Sequence, residues 1–418
     1  MRQTPGLAQL FTVFGRIGLL SFGGPAAQIA LMQRELVEAR GWLSQRQFLQ
    51  ALSVCMLLPG PEAMQLATYC GWRLQGVRGG ILAGVLFVLP GALVIFVLAL
   101  AYAGYGQMPV VQALFLGIKA AVVAIVLMAL RGLARRALRG REDHIIAALA
   151  FAAIFFLRLP FPLIIAAAAL WGYLRIRPQA PVAPAPHSPY PLSRSLRTAA
   201  LWLALWLAPL ALLLALEDGL LADLALFFST LAVVSFGGAY AVLAYMTQAV
   251  VTDFGWLDTA QMIDALGLAE TTPGPLILVT QFVGILAGIA QGGVALGIAA
   301  GIVTLWMTFT PCFLWIMTCA PHIEALSHHP RLGGALSAIT AAVVGVILNL
   351  SLWFALHVMF DEVALTAFGP LPDWASFRWD AALLGTLAFT ILHRRAPPLP
   401  ALLAAMAGLG LALSYWPL

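Results

Sequence analysis

The chain reads as long apolar runs separated by short polar loops. Residues 79–104 and 110–131 are apolar runs long enough to cross a bilayer, the second carrying Lys119 within it. Residues 7–32 and 47–75 are equally apolar but broken, the first at Ser21-Phe22-Gly23-Gly24 and the second at Pro59-Gly60-Pro61. Residues 144–174 predict two short helices meeting near Pro160 and Pro162. The second half repeats the pattern as 221–247, 259–290, 292–320, 333–358 and 380–416. The two arms of 47–75 are about a dozen residues each, roughly 18 Å at 1.5 Å per residue, or about half a bilayer. With Arg46 before the run and Arg73 and Arg78 after it, both ends fit one side of the membrane. A re-entrant hairpin is expected, and two tightly packed full crossings stay open as the alternative.

The similarity of the halves is a repeat. Ser21-Phe22-Gly23-Gly24 returns as Ser235-Phe236-Gly237-Gly238, Gly41-Trp42-Leu43 as Gly255-Trp256-Leu257, and Pro59-Gly60-Pro61 as Pro273-Gly274-Pro275. Residues 21–61 against 235–275 give 17 identities in 41 ungapped positions, which apolar bias alone does not produce. Further on the offset lengthens slightly: Pro90 matches Pro311, Pro109 matches Pro330, and Ala120-Ala121-Val122-Val123 matches Ala341-Ala342-Val343-Val344.

Composition fixes the solvent. Of 418 residues 62% are hydrophobic and 9% charged, with a mean hydropathy of +0.95. A soluble domain carries about a quarter charged residues, so most of this surface faces lipid. Charge then sets orientation. Loop 33–46 carries Arg34, Arg40 and Arg46, whereas its counterpart 247–260 has no Lys or Arg and carries Asp253 and Asp258. Loop 131–143 holds Arg131, Arg135, Arg136, Arg139 and Arg141, whereas 357–378 is mainly acidic, with Asp361, Glu362 and Asp373. The positive-inside rule places the first set in the cytoplasm and the second outside, so the repeats are expected to be inverted.

A Pro-rich segment, 178–191, flanked by Arg175, Arg177, Arg194 and Arg197, reads as a cytoplasmic linker, followed by one crossing over 198–216. One extra crossing between equal units inverts the second. The expected fold is an all-α polytopic membrane protein: a first repeat over 1–177, linker plus connecting helix over 178–219, and an inverted repeat over 220–418. The N-terminus is expected in the cytoplasm and the C-terminus in the periplasm. Arg16 interrupts the first apolar run, so the start does not read as a cleaved signal peptide.

Cys55, Cys70, Cys312 and Cys319 lie in apolar stretches and read as packing residues. The seven histidines form no ligand-spaced cluster, and adjacent His328 and His329 read as solvated, so neither metal nor cofactor is expected. The net charge of +5 reports basic loops and suggests no nucleic-acid partner.

Candidate chemistry concentrates at the breaks. An interrupted helix in lipid leaves backbone groups unpaired, and it survives where it lines a cavity or faces protein. Matched breaks in two halves point to a transporter's midplane site. Pro25, Pro61 and Pro275 suit first helical turns, whose N–H groups carry partial positive charge and bind anions. Ser21, Gly23, Gly24, Pro25, Pro59, Gly60 and Pro61, with Gly237, Gly238, Pro273, Gly274 and Pro275, are therefore candidate substrate contacts. Each break could instead be a kink at a packing site.

Ionisable residues inside spans add to the set, because they are costly there. Lys119, opposite Thr340 in the repeat, is a candidate anion contact, and Arg16, opposite Thr230, serves coupling or gating unless it snorkels to the interface. Glu62 and Glu270 border the two Pro-Gly-Pro segments and could carry protons; Glu62 could equally complement its helix N-terminus. Gln65, Gln281, Thr271 and Thr272 could donate to an oxyanion or bond between helices. Gly284, Gly288 and Gly292, then Gly293, Gly297 and Gly301, together with Gly80 and Gly84, read as close-packing faces.

Taken in order, Phe22-Gly23-Gly24-Pro25, Leu58-Pro59-Gly60-Pro61-Glu62 with Gln65, Tyr69 and Gly71-Trp72, then Gly79-Gly80 with Ala83-Gly84, Phe87 and Leu89-Pro90 resemble the chromate ion transporter family in its long, two-domain form. Phe236-Gly237-Gly238 and Thr272-Pro273-Gly274-Pro275 extend the resemblance through the second half. Ala239 departs from it where the first half has Pro25. The resemblance implies chromate efflux across the bacterial inner membrane with sulfate as isosteric competitor. A sulfate or other oxyanion carrier, importing included, is the alternative, and a homodimer stays open. Both substrates are tetrahedral dianions that N–H and hydroxyl donors suit. The residues show neither a G-x-x-x-x-G-K-[ST] loop nor a nucleophile–base pair or metal triad, so an ATPase or intramembrane enzyme is not expected.

Overall fold

The computed structural model describes residues 5–56, 58–175, 191–217, 219–236, 238–322, 330–366, 369–395 and 397–415. Most of the Pro-rich linker, together with Gly237, His328 and His329, falls outside the described residues. The chain is a multi-pass membrane protein built of helices. The first half contains α1 (Leu7–Leu20), α2 (Gly24–Gln33, continuing as a π-helical turn over Arg34–Ala39), α3 (Gln45–Cys55) and α4 (Glu62–Tyr105). It continues with α5 (Pro109–Ala137), α6 (Arg141–Phe155) and α7 (Phe161–Arg175). After α8 (Leu192–Ala215) come α9 (Gly219–Val234), α10 (Ala239–Gln248), α11 (Thr259–Thr271), α12 (Val279–Cys319) and α13 (Pro330–Met359). A hairpin of β1 (Val363–Thr366) and β2 (Gly369–Pro372) precedes α14 (Trp379–Arg395) and α15 (Leu399–Tyr415).

Among the described residues five stretches, Glu62–Tyr105, Pro109–Ala137, Ser193–Ala215, Leu276–His322 and Arg331–Met359, are long and apolar enough to cross a membrane. Two of them are not straight rods. Inside α4, Gln75 (φ −138°, ψ 25°) and Gly76 (φ 61°, ψ −153°) leave helical geometry, as do Gly292 and Gly293 inside α12. A Cβ placed on Gly71 would fall 2.2 Å from the carbonyl oxygen of Gly79, eight residues on. In a straight helix such residues lie about 12 Å apart. The chain therefore doubles back, and Glu62–Leu74 lies antiparallel to the helix after Gly76. The same holds across Gly292–Gly293, where Gly288 meets Gly297 and Gly284 meets Thr304. The four-residue glycine spacing seen in the sequence is thus the seam of two helical hairpins. In lipid, where apolar surface gains little by leaving the solvent, such backbone approach supplies dispersion contacts that side chains would block.

Two compact units emerge from the packing, each taking segments from both halves of the chain: residues 1–100, 176–242 and 272–333 form one, and 101–175, 243–271 and 334–418 the other. In the first, α12 packs on α8 and α9, with Trp202 stacked on Phe313 at 5.1 Å and Phe14, Phe87, Phe228 and Phe282 fully buried. Leu201, Leu203 and Leu212 are exposed on different sides of α8, as a helix that meets lipid over most of its circumference requires. In the second, α5 packs against α11, α14 and α15, and Gly117 lies so close to Met406 that a Cβ would sit 1.8 Å from its carbonyl oxygen. Here α6 and α7 form the expected pair of short helices around Pro160. Their far ends are tied by an Arg175–Glu142 ion pair, with the Trp171 indole N–H donating to Glu142 at 2.9 Å.

Candidate functional site

The four breaks lie in the first unit, and backbone hydrogen bonds pair them crosswise. Gly274 N–H donates to the Ser21 carbonyl at 2.8 Å, and Gly60 N–H donates to the Ser235 carbonyl at 2.9 Å. Each Pro-Gly-Pro turn is therefore bonded to the Ser-Phe-Gly-Gly break of the other half. Local chemistry explains each turn. The Ser21 hydroxyl caps the end of α1 by donating to Ile17 at 2.6 Å, and the Ser235 hydroxyl does the same to Ala232 at 3.0 Å. Phe22 and Phe236 then close identical tight turns onto Leu20 and Val234. Gly23 and Gly24 take φ of 88° and 75°, and Gly60 and Gly274 take 115° and 89°, conformations that residues with a Cβ rarely adopt.

Side chains lock this crossing. The buried Gln28 amide donates to the Gly274 carbonyl at 2.7 Å and to the Ser21 carbonyl at 3.4 Å. Fully buried Gln65 donates to the Pro59 carbonyl at 2.6 Å, and its own carbonyl oxygen meets no hydrogen-bond donor among the described residues. Gly91 admits the second Pro-Gly-Pro turn, since a Cβ there would lie 2.1 Å from the Pro273 oxygen. Its counterpart in the repeat, Cys312, sits against the first turn, 3.1 Å from where a Gly60 Cβ would be.

Helix starts surround the crossing: α2 at Gly24 with Pro25 in its first turn, α4 at Glu62 directly after Pro61, and α10 at Ala239. Pro275 differs from expectation, because it opens a 3₁₀ turn (Leu276–Leu278) before α12 begins. Among the described residues no side chain caps α2, whose first-turn N–H groups are those of Gly24, Ala26 and Ala27. Glu62 is half-buried in the first turn of α4, and Thr272 and Gln281 are buried in the same unit. Arg16 is exposed on α1.

The remaining expected residues belong to the second unit. Glu270 is buried on α11, and the Thr271 hydroxyl donates to the Leu268 carbonyl at 2.8 Å. Lys119 on α5 places its ammonium 2.8 Å from Oδ1 of Asp264, and the Tyr102 hydroxyl donates to Oδ2 at 2.6 Å. Asp264 is fully buried.

Sequence reasoning missed Gln28, Tyr102 and Asp264. Asp264 stands in the apolar run Met262–Leu268, and the rule that singled out Lys119 finds it too. Gln28, a lone amide one turn beyond a break, is readable the same way. Tyr102 carries no such signal, because aromatic residues are common in spans.

Long apolar helices, two of them folded into hairpins, together with interrupted helices bonded to one another are the architecture of a polytopic membrane transporter. The chain belongs to the chromate transporter family, whose model matches residues 8–173 and again 222–411. It is 35% identical to the chromate transport protein of Pseudomonas aeruginosa, over 81% of this chain and 79% of that one. It is 28% identical to the chromate transport protein of Cupriavidus metallidurans, over 93% and 94%. It is 31% identical to the probable chromate transport protein of Synechococcus elongatus, over 82% of each. No solved structure matches it.

Proposed function

We propose that the chain is a secondary transporter that exports chromate from the cytoplasm across the bacterial inner membrane, with sulfate competing for the same path. The observation that carries this reading is the crosswise bonding of the four breaks, Gly274 to Ser21 and Gly60 to Ser235. It gathers helix starts, among them the α2 N-terminus that no described side chain caps, whose partial positive charge suits a tetrahedral dianion. The relatives' names supply the anion. A dianion leaving an inside-negative cell is helped by about 4.6 kcal/mol at 100 mV, so export needs no ATP.

In this reading the substrate contacts are Ser21, Gly23, Gly24, Pro25, Pro59, Gly60, Pro61 and Gln65, with Gly237, Gly238, Thr271, Thr272, Pro273, Gly274, Pro275 and Gln281 from the second half, and Lys119. Arg16, Glu62 and Glu270 serve coupling or gating. The repeats, 1–177 and 220–418, are inverted about the linker and connecting helix of 178–219, with a cytoplasmic N-terminus and a periplasmic C-terminus. Alternating access is the rocking of one repeat against the other. Everted inner-membrane vesicles test the function: protein-dependent chromate uptake that sulfate inhibits is expected. Sulfate accumulation by intact cells without any chromate flux would instead make the chain a sulfate importer.

A further inference from the structure

Lys119 is the sole lysine of the sequence; the other 21 of the 22 Lys and Arg residues are arginine. It sits ten residues into α5, about 15 Å from the helix start at 1.5 Å per residue. That is about half the ~30 Å hydrocarbon thickness. Its side chain is 17% exposed, whereas the Asp264 carboxylate that it meets is 0% exposed. The exposed part lines an open cleft of about 910 Å³ in the second unit, shared with Gln112, Thr259, His357, Asp361 and Arg378. Arg378 is already held by Asp380 at 2.8 Å, with Asp361 3.7 Å away. The cation that the cleft offers at depth is therefore the Lys119 ammonium, and its counter-ion lies behind it, out of water.

Two features suit this pair to exchange rather than permanent bonding. Asp264 has a second partner in the Tyr102 hydroxyl, so it keeps a hydrogen bond if the ammonium turns away. A lysine also presents a compact charge on a flexible stem, whereas an arginine would clamp the carboxylate through two parallel bonds. We propose that Asp264 is a resident counter-ion which a tetrahedral dianion in the cleft displaces from Lys119, making the ammonium a binding stop for the transported oxyanion. The inference rests on the oxyanion-transport reading and assigns Asp264 and Tyr102 a part in it. Internal competition keeps the stop weak, and a stop on a transport path must release as readily as it binds. No covalent bond changes: the ammonium exchanges one oxyanion contact for another.

Sulfate binding to the purified full chain, measured by titration calorimetry, tests the proposal. Asp264→Asn removes the competitor, so sulfate binds about tenfold tighter than in the unmodified protein, as expected when a like charge is taken from the site. Turnover in vesicles falls at the same time, because release slows. Adding Lys119→Gln to Asp264→Asn abolishes the gain. A purely structural ion pair predicts weaker sulfate binding in both variants. Should Asp264→Asn fail to fold, amine acylation of the unmodified protein followed by mass spectrometry of the Lys119 peptide decides. Sulfate slows acylation there, and chloride at equal ionic strength does not. Sulfate affinity unaltered by Asp264→Asn, acylation indifferent to sulfate, or no acylation of Lys119 overturns the proposal. Chromate flux with any of these results refutes the Lys119 exchange alone, whereas absence of chromate flux refutes the transport reading.

Discussion

Replacing Gly91 by alanine tests the geometry of the crossing. The new Cβ would lie 2.1 Å from the Pro273 oxygen and 2.5 Å from a Leu278 methyl. A carbon–oxygen contact needs about 3.2 Å, so the second Pro-Gly-Pro turn must retreat by about 1 Å. A retreat of that size takes the Gly274–Ser21 hydrogen bond from 2.8 Å to nearly 3.8 Å, beyond bonding range. Overpacking of this kind costs about 1–3 kcal/mol, and the Gly274 N–H separated from its Ser21 acceptor adds to it. Gly91→Ala should therefore cut chromate flux in reconstituted vesicles by more than about tenfold, the equivalent of about 1.4 kcal/mol. It should also lower the temperature of unfolding in detergent. Gly104→Ala, where an added Cβ meets nothing within 4 Å, is the control and should transport normally. Full flux and unchanged unfolding in Gly91→Ala would refute the claim that this contact holds the breaks together.

Further consequences follow from neighbouring contacts. Gln28→Leu leaves the buried Gly274 carbonyl without its 2.7 Å donor and should destabilise the protein by about 1–3 kcal/mol, read by thermal unfolding, while Val242→Ala at the matching position of the repeat should cost less. Gly288→Leu forces apart the hairpin arms that meet at Gly297 and should abolish folded, membrane-inserted protein, scored by size-exclusion chromatography. Lys119→Ala should reduce chromate flux while folded protein is still recovered, and an unaffected rate would remove Lys119 from the path. Cysteine labelling from either side should find a residue placed at Gln45 facing the cytoplasm and one placed at Thr259 facing outward, and labelling of both from one side would rule out inversion.

What the sequence disclosed was whatever is local. Helix interruption at Ser21–Gly24 and Pro59–Pro61 is dictated by glycine and proline within a few residues, and so both breaks were readable. The glycine seam across Gly292–Gly293 was readable as close packing, although not as one hairpin folding on itself, because spacing alone does not say whether the partner helix is a neighbour or the same chain doubled back. The bonds from Gly274 to Ser21 and from Gly60 to Ser235 join residues far apart in sequence through backbone atoms, which carry no side-chain signature. The hairpin of Val363–Thr366 and Gly369–Pro372 was hidden in a stretch read by its charge, yet Phe360, Trp374 and Phe377 pack edge to face beside it. Asp264 was legible by the same rule as Lys119, and their pairing needed the fold to bring α11 against α5.

The crossed breaks are the proposed place where an oxyanion is held. An experimental structure with chromate bound, read by the anomalous scattering of chromium, tests that most directly. A chromium peak is expected within hydrogen-bonding reach of the first-turn N–H groups of α2 or α4 at the Ser21–Gly274 and Gly60–Ser235 crossing. Chromium found elsewhere, with that crossing empty, would contradict it.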